Sequence, residues 1–299
     1  MTPALIASDL TKVIGTRTIV DSVSFELHPG EVFGFLGPNG AGKTTTIRML
    51  VGLIKPTAGR VTICGHDLAR DFENALRCVG CIVENPDLYR FMTGRENLEH
   101  FARMLGVHAD EIERVAGLVN LEHRLEQRVG TYSLGMRQRL GIAQALLGSP
   151  RVLILDEPSN GLDPAGIRET RILLRMLAGE QGLSVFVSSH LLSEVELTCD
   201  RVAIIHRGRI LKSGSVAELI SSQRAMEIRV GDVGKATRVM GDRTFEIAGD
   251  RLLVPIEESD APPLIAELAR NGIEIFHARP HVQTLEEMFL EATGGETVD

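Results

Sequence analysis

The chain has 299 residues, 43% of them hydrophobic and 24% charged, which is enough for one large domain and a small second core. Its formal net charge of -8 comes with scattered basic residues, so the basic stripe of a duplex-binding surface is excluded and no nucleic-acid partner is expected. No run approaches the ~20 consecutive apolar residues of a membrane-spanning helix, and Met1-Thr2-Pro3-Ala4 lacks the charged and apolar regions of a secretion signal, so a cytoplasmic chain is expected.

In chain order, Val23, Phe25 and Leu27 alternate with polar residues and predict a half-exposed strand. Pro29-Gly30 then turns the chain into Val32-Phe33-Gly34-Phe35-Leu36, a strand expected to be buried on both faces. It leads into Gly37-Pro38-Asn39-Gly40-Ala41-Gly42-Lys43-Thr44 and a helix predicted over Thr44 to Leu53, the strand, loop and helix unit that binds phosphate. The glycines let successive N–H groups point inward, and the positive end of the following helix attracts phosphate charge. In this reading Lys43 adds a point charge at the β- and γ-phosphates. Thr44 offers a hydroxyl to Mg²⁺, and Thr45 caps the helix within reach of the α-phosphate.

Cys78-Val79-Gly80-Cys81-Ile82-Val83 reads as a buried strand, and its lone CxxC lacks a second pair, so Cys64, Cys78, Cys81 and Cys199 are expected to be reduced structural thiols. From about 85 to 130 the pattern turns helical, opening with the capping box Thr93-Gly94-Arg95-Glu96, and an inserted helical subdomain of about 85–148 is expected. Arg151-Val152-Leu153-Ile154-Leu155-Asp156-Glu157 then sets two carboxylates at the end of an apolar strand, where open α/β sheets have their ligand crevice. Asp156 suits the water shell of Mg²⁺, and Glu157 is left to orient or deprotonate a water. Asp163-Pro164 opens a helix as N-cap and first position. Val185-Phe186-Val187 is a further strand, ending at Ser188-Ser189-His190; taken alone, that histidine is more often an ordinary core or surface residue.

Ser215 and Glu218 form another capping box before a short helix, and Ser221-Ser222-Gln223-Arg224 is a linker, which puts a domain boundary near 222. The remainder, 223–299, reads as strand (Met226 to Val230), helix, strand (Thr244 to Ile247), turn, strand (Arg251 to Val254), helix (Pro262 to Arg270), strand (Ile273 to Ala278) and helix from Thr284. That order suits a small α+β sheet similar to a ferredoxin-like unit.

Together with Tyr132-Ser133-Leu134-Gly135-Met136-Arg137-Gln138-Arg139, these motifs occur in the order found in the nucleotide-binding subunits of ATP-binding cassette (ABC) transporters, and the chain resembles that family over residues 4–220. The resemblance implies a P-loop ABC cassette of α/β class, with a mixed core sheet, an antiparallel β subdomain and the helical insertion, preceding the small C-terminal domain. It implies an ATPase that closes head-to-tail on a second copy over two Mg²⁺-ATP. Ser133 and Gly135 begin a helix facing the γ-phosphate of the other copy, Asp163 lies in the loop joining the sites, and His190 contacts the γ-phosphate and water. It further implies a separate membrane permease and a position on the cytoplasmic face of a bacterial membrane.

Three departures from the family pattern stand out. Ile14 occupies the place of the usual aromatic under adenine, Leu134 and Met136 alter the signature segment, and Glu84 replaces a glutamine expected to touch Mg²⁺ and the permease. A carboxylate at 84 adds to the repulsion around Asp156 and Glu157. The run Thr284-Leu285-Glu286-Glu287-Met288-Phe289 resembles the tail of bacitracin- or lantibiotic-type export subunits, which implies export of a drug, peptide or lipid-like compound. The rival readings are a non-transport ABC ATPase acting on ribosomes or DNA, and a regulator that binds nucleotide without turnover. The first usually carries two cassettes or a long coiled coil, whereas here about 90 residues separate Lys43 from Ser133.

Overall fold

Strands without polar interruption need cover on both faces, and they form the middle of a parallel sheet. In the computed structural model, which describes residues 2–84, 86–221, 224–241, 243–282 and 284–293, the contacts divide the chain into a large unit, Met1–Ser215, and a small one, Val216–Ala292. The boundary expected at 222 lies outside the described residues.

The large unit is built on a six-stranded sheet in the order β10-β9-β3-β8-β7-β6. These strands are β3 (Val32–Leu36), β6 (Val79–Ile82), β7 (Val152–Asp156), β8 (Ser184–Ser189), β9 (Arg201–His206) and β10 (Arg209–Ser215). All neighbours are parallel except the β9–β10 hairpin. Every residue of β3 and β7 is buried. Gly34 in β3 is required by packing: an added Cβ would meet Val195 Cγ1 at 2.7 Å and Cys199 Sγ at 3.0 Å.

A second, antiparallel sheet has the order β2-β1-β4-β5, with β1 (Leu5–Ile14), β2 (Arg17–Leu27), β4 (Ala58–Ile63) and β5 (His66–Asp67). Phe25 of β2 joins it to the core sheet, its ring lying 5.3 Å from Phe33 and 5.5 Å from both Phe35 and Phe186. Such pairs add about 0.5–1.5 kcal/mol each beyond burial.

The helices of this unit are α1 (Lys43–Leu50), α2 (Phe72–Arg77), α3 (Gly94–Leu105), α4 (Asp110–Leu118), α5 (Leu134–Leu146), α6 (Pro164–Gly179) and α7 (Leu192–Thr198). The capping box at α3 forms as its spacing requires: the Glu96 N–H donates to Thr93 Oγ1 at 3.1 Å, and the Thr93 N–H donates to Glu96 Oε2 at 2.7 Å. α1 differs from expectation. It starts at Lys43, ends at Leu50, and is entered from Gly42 with no side-chain cap, so Thr45 lies inside the first turn and does not cap it. The loop backbone delivers the chain straight into the helix, and the first N–H groups keep their donors for a ligand. Cys81, expected in a buried strand, is exposed because β6 is the sheet edge. Burial pushes the Cys64 thiol up to about 11 and raises that of Cys199 as well. All four cysteines are free.

The small unit comprises α8 (Val216–Ser221), β11 (Arg224–Val230), α9 (Val233–Met240), β12 (Glu246–Ala248), β13 (Arg251–Val254), α10 (Ala261–Arg270), β14 (Ile275–Val282) and α11 (Leu285–Thr293). Strand order is β12-β13-β11-β14, all antiparallel, so β13 lies between β11 and β12 as in the split arrangement of a ferredoxin-like sheet. β12 and β14 each begin two residues later than the sequence pattern suggests. One face carries Met226, Ile228, Leu252, Leu264 and Leu268 into a core. The alternate residue Glu227 points to the other face and is still only 3% exposed.

Candidate nucleotide site

Register brings the motifs together. β8 lies between β3 and β7, with Leu36 opposite Ser189 and Asp156 opposite Ser188, so three strands end at one level. The phosphate loop, the acidic pair and His190 therefore all leave the carboxyl ends of neighbouring parallel strands, the position at which such sheets bind ligands.

In the loop, Gly37 is pressed against the backbone: an added Cβ would stand 2.2 Å from the carbonyl oxygen of Ile205. Gly42 has φ +109°, a conformation closed to side-chain-bearing residues at low cost. Lys43 folds back over the loop, 6% exposed, its Nζ donating to the carbonyls of Gly37 at 2.6 Å and Pro38 at 3.3 Å and lying 3.2 Å from Glu157 Oε1. A cleft of about 680 Å³ opens here, lined by Pro38, Asn39, Gly40, Gly42, Lys43, Thr44, Thr45 and Glu157. Ala41 is buried beneath it.

Glu157 sits at φ +50° just beyond β7, an unusual backbone position for a residue with a side chain. Its Oε2 is 2.7 Å from His190 Nδ1. An ionised carboxylate can only accept, so Nδ1 carries the proton in this contact and Nε2 faces elsewhere. Glu157 thus joins Lys43 to His190. It also borders a cavity of about 30 Å³ shared with Asn160 and His190, the room of one water molecule.

Asp156 is 4% exposed and its Oδ1 accepts from Ser188 Oγ at 2.5 Å. Among the described residues no Lys, Arg or His is paired with it. A buried carboxylate without a protein cation ordinarily binds a metal or takes up a proton. Thr44 lines the same cleft as Glu157, the residue after Asp156, and this pairing of a hydroxyl with a buried carboxylate fits a hard cation that retains most of its water. Among the described residues no group of three His, Cys, Asp or Glu side chains forms a metal cage of its own.

Other expected residues stand apart. Glu84, at φ +69°, is paired with Arg48 of α1, so its charge is balanced locally and does not act on the acidic pair through a direct contact. Ile14 is 57% exposed at the end of β1 and is not part of the cleft lining, which instead includes Arg17, Thr18, Ile19 and Arg207. These four were missed because nothing in their sequence spacing marks them; the β1–β2 hairpin and the β9–β10 turn carry them in. Ser133 caps α5, accepting from the Met136 N–H at 3.2 Å, and an added Cβ on Gly135 would meet only Leu162 Cδ2 at 3.9 Å. Neither lines this chain's own cleft. Asp163 caps α6 through the Gly166 N–H at 2.8 Å, with Pro164 at the first position.

Residues 20–160 match the family model described as ABC transporter. The chain is 47% identical to the uncharacterized ABC transporter ATP-binding protein YhcH of Bacillus subtilis, covering 98% of this chain and 97% of that one. The chain belongs to the ATP-binding proteins of ABC transporters. It is 41% identical to the bacitracin transport ATP-binding protein BcrA of Bacillus licheniformis over the full length of both. A solved ATP-binding subunit of an ABC transporter superposes with a TM-score of 0.65 at 32% identity, covering 73% of this chain and 92% of its own. Like other members, this ABC subunit is an ATPase that powers transport, and subunits of its kind work with membrane permeases. None of its described helices is long and apolar enough to cross a membrane.

Proposed function

We propose that this ABC subunit drives export of a peptide, drug or lipid-like compound through a separately encoded permease, from the cytoplasmic face of the membrane. Full-length similarity to a bacitracin transport protein supports this cargo class over the ribosome- or DNA-acting alternative. The observation that carries the mechanism is the chain of contacts Lys43–Glu157–His190 at the mouth of the phosphate loop.

In this mechanism the N–H groups of the loop and of α1 grip the β- and γ-phosphates. Phosphate oxygens are better acceptors for an ammonium than carbonyls are, so the triphosphate takes Lys43 from Gly37 and Pro38. Glu157, relieved of that cation, accepts a proton from a water in the adjoining cavity. His190 holds the carboxylate through its Nδ1–H, and its Nε2 edge is left for the γ-phosphate. Thr44 and Asp156 would hold Mg²⁺, whose charge offsets that building on the phosphates. Ser133 and Gly135 of a second copy offer their helix end to the γ-phosphate, and Asp163 lies in the loop between the two sites. Closure of the pair over two ATP, and its release after hydrolysis, moves the permease.

Glu157→Gln tests this reading. Turnover is expected to fall by ~10²- to 10⁴-fold with nucleotide affinity retained, and light scattering with Mg²⁺-ATP should show a doubled mass. A single copy under those conditions, with or without permease, or undiminished hydrolysis, would overturn it.

A further inference from the structure

Ser188 is fully buried in β8, two residues before His190, and its side chain makes two contacts that meet at one oxygen. Its Oγ–H donates to Asp156 Oδ1 at 2.5 Å, and the same oxygen accepts from the Glu157 N–H at 2.9 Å. A carboxylate only accepts and an amide N–H only donates, so the hydroxyl proton has one possible direction. The rotor is locked by the two acids together.

The contacts do different things. The hydroxyl is the hydrogen-bond partner that fixes the plane of Asp156, a carboxylate that among the described residues has no protein cation and no further contact at Oδ2. The N–H contact holds the backbone of Glu157, which turns through φ +50° so that its carboxylate reaches Lys43 and His190. A hydroxyl serving only to fill the core needs a single backbone partner from its own neighbourhood. Here it spans to the adjacent strand, 31 and 32 residues away in sequence.

We propose that Ser188 is a positioning residue for hydrolysis: its hydroxyl orients Asp156 toward Mg²⁺ and sets the backbone of Glu157, tying both acids to the strand that carries His190. The proposal rests on the roles of Asp156 and Glu157 given above.

The test compares Ser188→Ala, Ser188→Cys and Ser188→Thr in the full-length protein. The readouts are the Mg²⁺ concentration for half-maximal ATPase, kcat, Mn²⁺ binding to the nucleotide complex by electron spin resonance, and binding of a fluorescent ATP analogue without divalent cation. Partners that orient metal ligands typically contribute ~10- to 100-fold in metal affinity or activity. Ala and Cys, which lose the strong donor, should therefore weaken Mn²⁺ binding and raise the Mg²⁺ requirement by about tenfold or more. They should lower kcat and leave cation-free nucleotide binding within about twofold. Thr, which keeps the hydroxyl, should recover most of the loss. An unchanged Mg²⁺ requirement in Ser188→Ala, or equal impairment of Thr and Ala, would overturn the proposal. Asp156→Asn run in parallel separates the two levels: if that variant leaves Mn²⁺ binding intact, the reading of Asp156 itself fails.

Discussion

Asp156 at the end of the core sheet and Glu227 in the small unit are both buried carboxylates on central strands, 4% and 3% exposed, and their surroundings are opposite. Asp156 has a neutral hydroxyl and, among the described residues, no cation. Glu227 accepts from His277 Nε2 at 2.8 Å, Arg279 Nε at 3.1 Å and Arg251 Nη1 at 3.3 Å, with His281 at 4.0 Å. The His277 hydrogen bond, then Arg279 and the charge of Arg251, hold the Glu227 carboxyl down at about 2. A carboxylate saturated by its own chain has nothing left to offer a ligand, and one left without a cation is costly unless something from outside completes it. The contrast separates a site that holds the sheet together from one kept open for chemistry.

Exchanging each acid for its amide is the strongest way to break that contrast. Asp156→Asn should lower ATPase by roughly 10²- to 10³-fold, with stability unchanged or slightly raised, because a buried charge is removed. Glu227→Gln should do the reverse, destabilising the protein by about 1–3 kcal/mol in urea unfolding with ATPase retained. Equal effects of the two variants on stability would end the comparison.

Acid titration sharpens it. The folded carboxyl of Glu227 lies below its ordinary value of 4.5, so its contribution to stability is present above that value and is lost as pH falls from about 5 toward 2. Urea unfolding of the wild type and Glu227→Gln at successive pH values should show the gap between them shrinking over that window. A constant gap would remove Glu227 as its source.

The smallest effect is expected at Glu84. Its exposed pair with Arg48 carries about 0–1 kcal/mol, so Glu84→Gln should shift the Mg²⁺ dependence of ATPase by less than about fivefold. A larger shift would mean that Glu84 acts on Mg²⁺ beyond this local pair.

Much of this was legible in the chain itself. The strand before Gly37, the loop through Lys43, the acids at 156 and 157 and the caps at Thr93, Ser133 and Asp163 are local patterns, each fixed by backbone chemistry within a few residues. The alternation in the C-terminal region likewise points to the strands and helices of the small unit. Less visible were the β1 strand and the β9–β10 hairpin, which mix polar and apolar residues, and the cleft residues Arg17 and Arg207 that these elements bring in.

Tertiary structure decided what depends on register between distant strands. Setting β8 between β3 and β7 makes His190 a partner of Glu157 and turns Ser188 from an unremarkable strand serine into the link between both acids. It also left Ile14 exposed and paired Glu84 with Arg48, neither of which its neighbours in sequence announce. Sequence fixes which groups are available because propensities and motifs act over short range; only the packed sheet fixes which groups meet, because a hydrogen bond is satisfied across space by whichever strand lies alongside.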